Sequence, residues 1–390
     1  MLDWLLLGPK LLISAGETSG DLYAARLVEH LRHSVPDLDC FGCAGPRMRQ
    51  AGVRAVICAE DISVVGLAEV LVHIPRIYRR FRRLLAAVRA EKPDLAVLTD
   101  SPDFHLRLAH RLKRLGIPVV GLVAPQVWAW RPWRIRTIRR NMDRLLCIFP
   151  FEEEYFRRRG VRADYIGHPL AHIVRPSTSK AEFFQQHRLP PAPLITLLPG
   201  SRTGEIRRHF GPLLDAAVHI HRNHPAAFVV ALPSGLPPAF TADLRRRAAG
   251  CPVVITEGLT WDAIAHADLA LAASGTVTIE AALLGTPLIA FYRVTPLSWC
   301  FGRPLVRVPF FSMVNLVAGR RLIPELMQNE VRGERLAEEA LRLLAAPEAL
   351  AEIRRELRTV AAQLSPPVEA TRRASSIVQD LLLQGALHAK

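Results

Sequence analysis

The sequence predicts an α/β protein made of two doubly wound, parallel-sheet domains. Three observations point there. First, short continuous apolar runs alternate with helical patterns along almost the whole chain. A strand that is apolar at every residue is buried on both faces, as in a parallel sheet covered by helices. Second, the plan occurs twice. In each half the first strand runs into a glycine-spaced turn and then a helix, Gly16-x-x-x-Gly20-Asp21 and Gly200-x-x-x-Gly204-Glu205. Third, 390 residues, half of them hydrophobic and 22% charged, suit two domains with a core each.

The elements follow in order. Strands are expected at 10–14 (KLLIS), 54–58 (RAVIC), 94–99 (DLAVLT), 117–123 (IPVVGLV) and 144–149 (RLLCIF). The second set is 194–198 (LITLL), 227–232 (AFVVAL), 252–256 (PVVIT), 268–272 (DLALA) and 286–291 (TPLIAF). Helical patterns intervene at about 21–33, 76–91, 103–115, 205–223, 239–249, 276–284 and 333–385. The polar, proline-containing stretch 167–193 divides domains of about 1–170 and 171–350, and the tail 351–390 is expected to return to the first.

Composition excludes several classes. The balance does not suit a disordered chain, a collagen-like fibre or a disulfide-stapled miniprotein. Six dispersed cysteines fit a reducing compartment. The start, MLDWLLLGPKLLIS, lacks the basic region and cleavage site of a signal peptide. The least charged long stretch, 269–292, is interrupted by Gly and Pro, whereas a spanning helix needs about 20 predominantly apolar residues. A soluble protein, or one bound only to a membrane surface, is expected.

The net charge of +15 is local. Residues 76–89 carry six arginines and no acid, and 131–144 carry six against Asp143 alone, which suggests a directed anionic partner. In the first cluster Leu67, Val70, Leu71, Ile74 and Ile77 recur at helical spacing beside Arg79, Arg80 and Arg83, with Pro75 expected to split the segment into two helices. An ordinary solvated helix face and an amphipathic segment that lies on an anionic lipid surface or catches an anionic substrate both fit this pattern. Nucleic acid is a third reading, with Trp128, Trp130 and Trp133 as stacking platforms, but no nucleic-acid-binding signature accompanies them.

Neither glycine turn is a G-x-G-x-x-G fingerprint, and no G-x-x-x-x-G-K-[ST] occurs, so dinucleotide enzymes and P-loop NTPases lose ground. Two α/β domains with glycine turns fit a nucleotide-sugar enzyme better. Ser274-Gly275-Thr276 lies where the strand DLALAA meets a helix, and its N–H groups and helix dipole suit a diphosphate. Glu280 follows by about one turn, in place for ribose hydroxyls or as an incidental carboxylate. Gly200-Ser201-Arg202 brings a permanent charge to the same domain, and Glu257-Gly258, after PVVIT, offers a seat for uracil.

GETSGD at 16–21, AGPRM at 44–48, SPDF at 101–104, APQVWAWR at 124–131, IGHP at 166–169, LLPGSR at 197–202, ASGTVTIE at 273–280 and NLVAGR at 315–320 occur in this order. With these motifs the chain resembles the lipid A disaccharide synthases, bacterial inverting glycosyltransferases. The resemblance covers about residues 10–350. It implies a GT-B architecture, with two Rossmann-like domains and the active site between them. It implies transfer of 2,3-diacylglucosamine from UDP-2,3-diacylglucosamine to the 6-hydroxyl of 2,3-diacylglucosamine 1-phosphate, giving a β-1,6 disaccharide and UDP. It further implies work at the cytoplasmic face of an anionic inner membrane, with a homodimer compatible.

Inversion needs a base opposite the leaving UDP. Asp100, at the end of DLAVLT, is the first candidate and Glu17, in the glycine turn, the second; the resemblance places both at functional positions without choosing between them. Asp103 is expected to cap the helix FHLRLAHRLKRL. By resemblance Asn315 joins the donor site and Gln328 approaches it. Ser19, Gln126, Trp128, Trp130 and Arg131 are assigned to the acceptor side, although core packing by one indole of the WAW segment is an equal reading. Ala124 and His105 stand where the family commonly has Ser and Asn, which weakens inference about acyl length. His30 and His33, and His219, His221 and His224, lie on polar faces beside arginines, so neither a metal nor another cofactor is expected. Cys40 and Cys43 read as structural. The competing functions are a UDP-N-acetylglucosamine 2-epimerase and a basic nucleic-acid-binding protein.

Overall fold

The computed structural model describes residues 8–61 and 67–388, without the side chains of 67–73, 297–298, 301, 304 and 384–388. The chain forms two compact units, residues 1–169 with 364–390, and residues 170–363.

The first unit carries a seven-stranded, all-parallel sheet in the order β3-β2-β1-β4-β5-β6-β7. The strands are β1 (Lys10–Ala15), β2 (Asp39–Ala44), β3 (Arg54–Cys58), β4 (Leu95–Thr99), β5 (Val119–Leu122), β6 (Arg144–Cys147) and β7 (Ala163–Tyr165). The second unit has a six-stranded parallel sheet, β10-β9-β8-β11-β12-β13. Its strands are β8 (Leu194–Leu198), β9 (Ala227–Leu232), β10 (Val254–Glu257), β11 (Leu269–Ala273), β12 (Leu288–Tyr292) and β13 (Glu325–Met327). Every residue of β4, β5, β8, β9 and β11 is buried, which is why these segments read as unbroken apolar runs.

Both sheets reverse their strand order once, between β1 and β4 and between β8 and β11. At such a point the two crossovers leave to opposite faces and open a crevice at the carboxyl ends of the strands. Ala15 pairs with Thr99, so Gly16–Glu17 and Asp100 emerge side by side. Leu198 pairs with Ala272, which brings Gly200 out beside Ser274. Both glycine turns of the sequence thus lie at switch points.

Four expectations change. Pro75 does not split its segment: Leu67–Glu91 is one helix with the proline inside it. Proline deletes one hydrogen bond but keeps a helical φ, and buried Leu84, Leu85 and Val88 hold the helix to the core. The helical pattern 333–385 is three helices, Gly333–Leu344, Pro347–Leu364 and Ala370–His388, with prolines at the breaks. The return to the first unit comes at Leu364, not near 351, because Arg354 and Glu356 bind Asp268 and Arg320 of the second unit. The last helix then packs on Thr18–Ser34. Asp103 is not a side-chain cap. Ser101 holds the N-cap position of the helix Pro102–Arg114, and Asp103, exposed, pairs with Arg131 and Arg134.

Cys40 and Cys43 are buried on β2 with free thiols, and burial pushes the Cys40 thiol up to about 12 and that of Cys43 further still. Such thiols are inert.

Candidate active site

In the first unit the site is built on the β1 and β4 ends. Asp100 Oδ1 accepts the Gly16 N–H at 2.8 Å, and Oδ2 accepts the Glu17 N–H at 3.0 Å. Glycine is required here. A Cβ on Gly20 would lie 1.7 Å from Asp100 Oδ2, and one on Gly16 would lie 2.3 Å from Ser101 Oγ. Asp21, the last residue of the motif, is buried and structural, accepting the N–H groups of Arg47 and Met48 at the start of the helix Pro46–Gln50. Asp100 and Ser101 both have left-handed backbones, with φ of +55° and +36°. Each such residue costs about 1–3 kcal/mol and persists only where its surroundings impose it.

The Asp100 carboxyl is pushed up to about 7. Burial is the main cause and the neighbouring Glu17 adds to it, while the two backbone N–H groups oppose it only in part. A carboxylate poised near neutrality suits a general base. Glu17 stands at the N-cap of Thr18–Ser34 and Ser19 in its first turn, both partly exposed.

The 124–134 segment follows β5. Trp128 is half-buried and donates its indole N–H to Glu152 Oε1 at 3.0 Å. Glu152 is fully buried, also accepts from the Ile148 and Phe149 N–H groups, and its carboxyl is raised to about 7 by burial. Trp128 is therefore packed and anchored. Trp130, by contrast, is exposed with Arg131 stacked on it at 4.2 Å, and Gln126 is exposed too. The two indoles thus differ: Trp128 packs, and Trp130 faces outward.

Ile74 is 49% and Tyr78 is 59% exposed on the helix Leu67–Glu91, beside exposed Arg79 and Arg83. Arg76, Arg79, Arg80 and Arg83 line one open pocket of about 310 Å³. Ile77 is partly buried against the core. The side chains of Leu67, Val70 and Leu71 lie outside the described residues. Among the described residues no helix is long and apolar enough to cross a membrane.

In the second unit the turn after β8 and the helix after β11 meet. Gly200 has φ +120°, and a Cβ there would lie 2.8 Å from Glu205 Oε2. The Ser201 N–H donates to that oxygen at 3.3 Å, and Arg202, exposed, lies 3.7 Å from the same carboxylate. Buried His209 ties the turn down through the Pro199 carbonyl at 2.8 Å. Ser274 spends its hydroxyl on the Phe311 carbonyl and its N–H on that of Phe291. Gly275 and Thr276 are exposed at the start of the helix Thr276–Leu283, whose first N–H groups have no intrahelical partner. Glu280 accepts the Trp261 indole N–H, and burial lifts its carboxyl to about 7.

The other donor-side candidates differ in character. Gln328 has φ +52°; its Oε1 accepts the Val294 N–H at 3.3 Å, and its Nε2 is buried with no hydrogen-bond partner. Such an orphan calls for a ligand or water. Gly258 caps β10 with φ +76°, whereas Glu257 is exposed and paired with Arg245 at 2.8 Å. Asn315 is wholly buried and committed. Its Nδ2 donates to the Ile323 carbonyl and Glu325, and its Oδ1 accepts from Leu322 and Ile323. With every donor and lone pair in use, it clamps the 312–325 segment and has nothing to offer a ligand directly.

Sequence reading missed Glu152 and Trp261 and took His105 only as a departure from the family pattern; all three act through partners distant in sequence. Among the described residues no group of three His, Cys, Asp or Glu side chains has a metal-binding arrangement.

Known proteins share this architecture. A UDP-N-acetylglucosamine 2-epimerase from Neisseria meningitidis, solved with UDP-GlcNAc, superposes with a TM-score of 0.61 at 14% identity, covering 96% of this chain and 100% of that one. The calicheamicin glycosyltransferase gives 0.59 at 17% identity, over 97% and 99%. At these identities the likeness is one of fold, shared by transferases and epimerases alike. Sequence separates them. Relatives named lipid-A-disaccharide synthase are 55% identical in Solibacter usitatus, over 96% of this chain and 98% of that protein, and 42% identical in Myxococcus xanthus, over 95% and 97%. The profile of the lipid-A-disaccharide synthetases matches residues 11–379, and the chain belongs to that family.

Proposed function

We propose that this chain transfers 2,3-diacylglucosamine from UDP to the 6-hydroxyl of 2,3-diacylglucosamine 1-phosphate, with Asp100 as the base. The observation that carries the role of Asp100 is its carboxylate at the switch point, fixed by two N–H groups and raised to about 7. The two N–H groups and the Ser101 hydroxyl take three of its roughly four lone-pair sites, which leaves one for an incoming hydroxyl.

In the reaction the acceptor oxygen attacks the anomeric carbon as its proton passes to Asp100. The bond from that carbon to UDP breaks on the opposite side, so configuration inverts. Negative charge collects on the departing diphosphate. In the second unit Arg202, the N–H groups at Gly275 and Thr276 and the dipole of the helix behind them meet that charge. Glu280, steadied by Trp261, receives ribose hydroxyls, Gly258 seats the base, and Gln328 turns its orphan amide to the donor.

The exposed Ile74, Tyr78 and arginines suit an anionic membrane surface that carries both lipid substrates. The protein then works as a peripheral enzyme on the cytoplasmic side.

The test is incubation with UDP-2,3-diacylglucosamine alone and with acceptor. Disaccharide forms and UDP is released only when both are present. Release of UDP at equal rate without acceptor removes the transferase reading and favours epimerase-like chemistry.

A further inference from the structure

His105 lies on the helix behind the Asp100 turn and is 2% exposed. Its Nδ1 is 2.8 Å from the Asp100 carbonyl oxygen, and its Nε2 is 2.7 Å from Ser14 Oγ on β1. A carbonyl only accepts, so Nδ1 carries the proton, and Nε2 of the neutral ring accepts from the serine hydroxyl. Burial holds the ring neutral, down to about 4. The ring therefore bridges β1 to the end of β4, across the switch point, at two successive residues in left-handed conformation.

We propose that His105 is a positioning residue for the transfer: it pins the Asp100–Ser101 turn to β1 and so keeps the Asp100 carboxylate on the N–H groups of Gly16 and Glu17. The inference rests on Asp100 as proton acceptor. His105 touches neither substrate nor reacting atoms. Its action is on the backbone that aims the base. Asp100 has φ +55°, and without a donor on its carbonyl the turn is free to relax toward ordinary φ, carrying the carboxylate away from its two N–H partners.

Two replacements separate the ring's contacts. In His105→Asn the amide nitrogen takes the place of Nδ1 and keeps the bond to the Asp100 carbonyl. In His105→Gln the amide reaches toward Ser14 and leaves that carbonyl without a donor. The expected results are kcat within about threefold of wild type for His105→Asn and a fall of about tenfold or more for His105→Gln. Substrate KM stays within about twofold in both, because the loss is confined to the transition state. The acid limb of the kcat profile, which the Asp100 carboxyl places near pH 7, moves to higher pH in His105→Gln as the carboxylate loses the two N–H groups that hold it down.

Equal kcat for the two variants, or an unmoved acid limb in His105→Gln, overturns the proposal and leaves His105 as core packing. Asp100→Asn measured beside them separates the two levels. If Asp100→Asn turns over normally, the base assignment fails and takes this inference with it. If Asp100→Asn is inactive while His105→Gln is at wild-type rate, only the role of His105 fails.

Discussion

Replacing Gly20 with alanine adds one methyl group in the first turn of Thr18–Ser34, 1.7 Å from Asp100 Oδ2 and 2.7 Å from its Cγ. Real Cβ contacts stay beyond 3.0 Å, so the carboxylate oxygen has to retreat by about 1.3 Å. That retreat breaks the 3.0 Å bond from the Glu17 N–H. Overpacking of this kind costs about 1–3 kcal/mol, while alanine in place of glycine within a helix returns about 1 kcal/mol. The variant therefore folds, at a net cost of about 2 kcal/mol or less. A misplacement of about 1 Å at a reacting group costs about a hundredfold in rate. Acceptor-dependent UDP release gives kcat, thermal unfolding verifies the fold, and calorimetry with UDP reports on the second unit. We expect kcat down about a hundredfold, with UDP affinity unchanged. A folded Gly20→Ala enzyme with kcat within about threefold of wild type would refute the reasoning that catalysis depends on where this carboxylate is held.

Three further outcomes follow from the same geometry. Arg202→Ala weakens UDP binding by about tenfold or more in calorimetry, since a charge-assisted contact to phosphate is worth about 1.5–3 kcal/mol, and Arg202→Lys restores part of it; unchanged affinity places Arg202 outside the donor site. Asn315→Ala strands Glu325 and the Leu322 and Ile323 backbone without their partner, so it lowers the unfolding midpoint by the equivalent of about 2–4 kcal/mol; an unchanged midpoint with lost UDP binding makes Asn315 a ligand contact after all. Ile74→Ser with Arg79→Ala and Arg83→Ala reduces sedimentation with phosphatidylglycerol vesicles at low salt, and undiminished binding removes this helix from the membrane account. If the triple variant instead loses salt-sensitive oligonucleotide binding, the nucleic-acid reading gains.

What could be read from residues alone was what local physics dictates. Strands such as β4 (LAVLT) and β8 (LITLL) announce themselves because a strand buried on both faces has no polar position to hide in. The glycine turns are legible because only glycine permits the close approach of Asp100 to Gly20 or the φ of Gly200. The missed strands lack that signal. β2 (DCFGCA) has two cysteines and a glycine where β-branched residues would mark a strand, and β7 and β13 have three residues each. The site shows the same division. Asp100 is marked by its place at the end of an apolar run. The bonds from His105 to Ser14, Trp128 to Glu152 and Trp261 to Glu280 join residues far apart in sequence, and no periodicity encodes such pairs. Asn315 shows the other side of this: its motif points to the donor, while the work of its amide, holding the 312–325 segment, is legible only in the structure.

The central claim is that the Asp100 carboxylate takes the proton from the acceptor hydroxyl. Asp100→Asn keeps the size of the side chain and one of its oxygens but removes the base. Turnover of this variant, measured with both substrates at saturation alongside UDP affinity by calorimetry, tests the claim most directly. The account predicts kcat lower by about a hundredfold or more with UDP affinity unchanged. Retained turnover, or loss of UDP binding in its place, contradicts it.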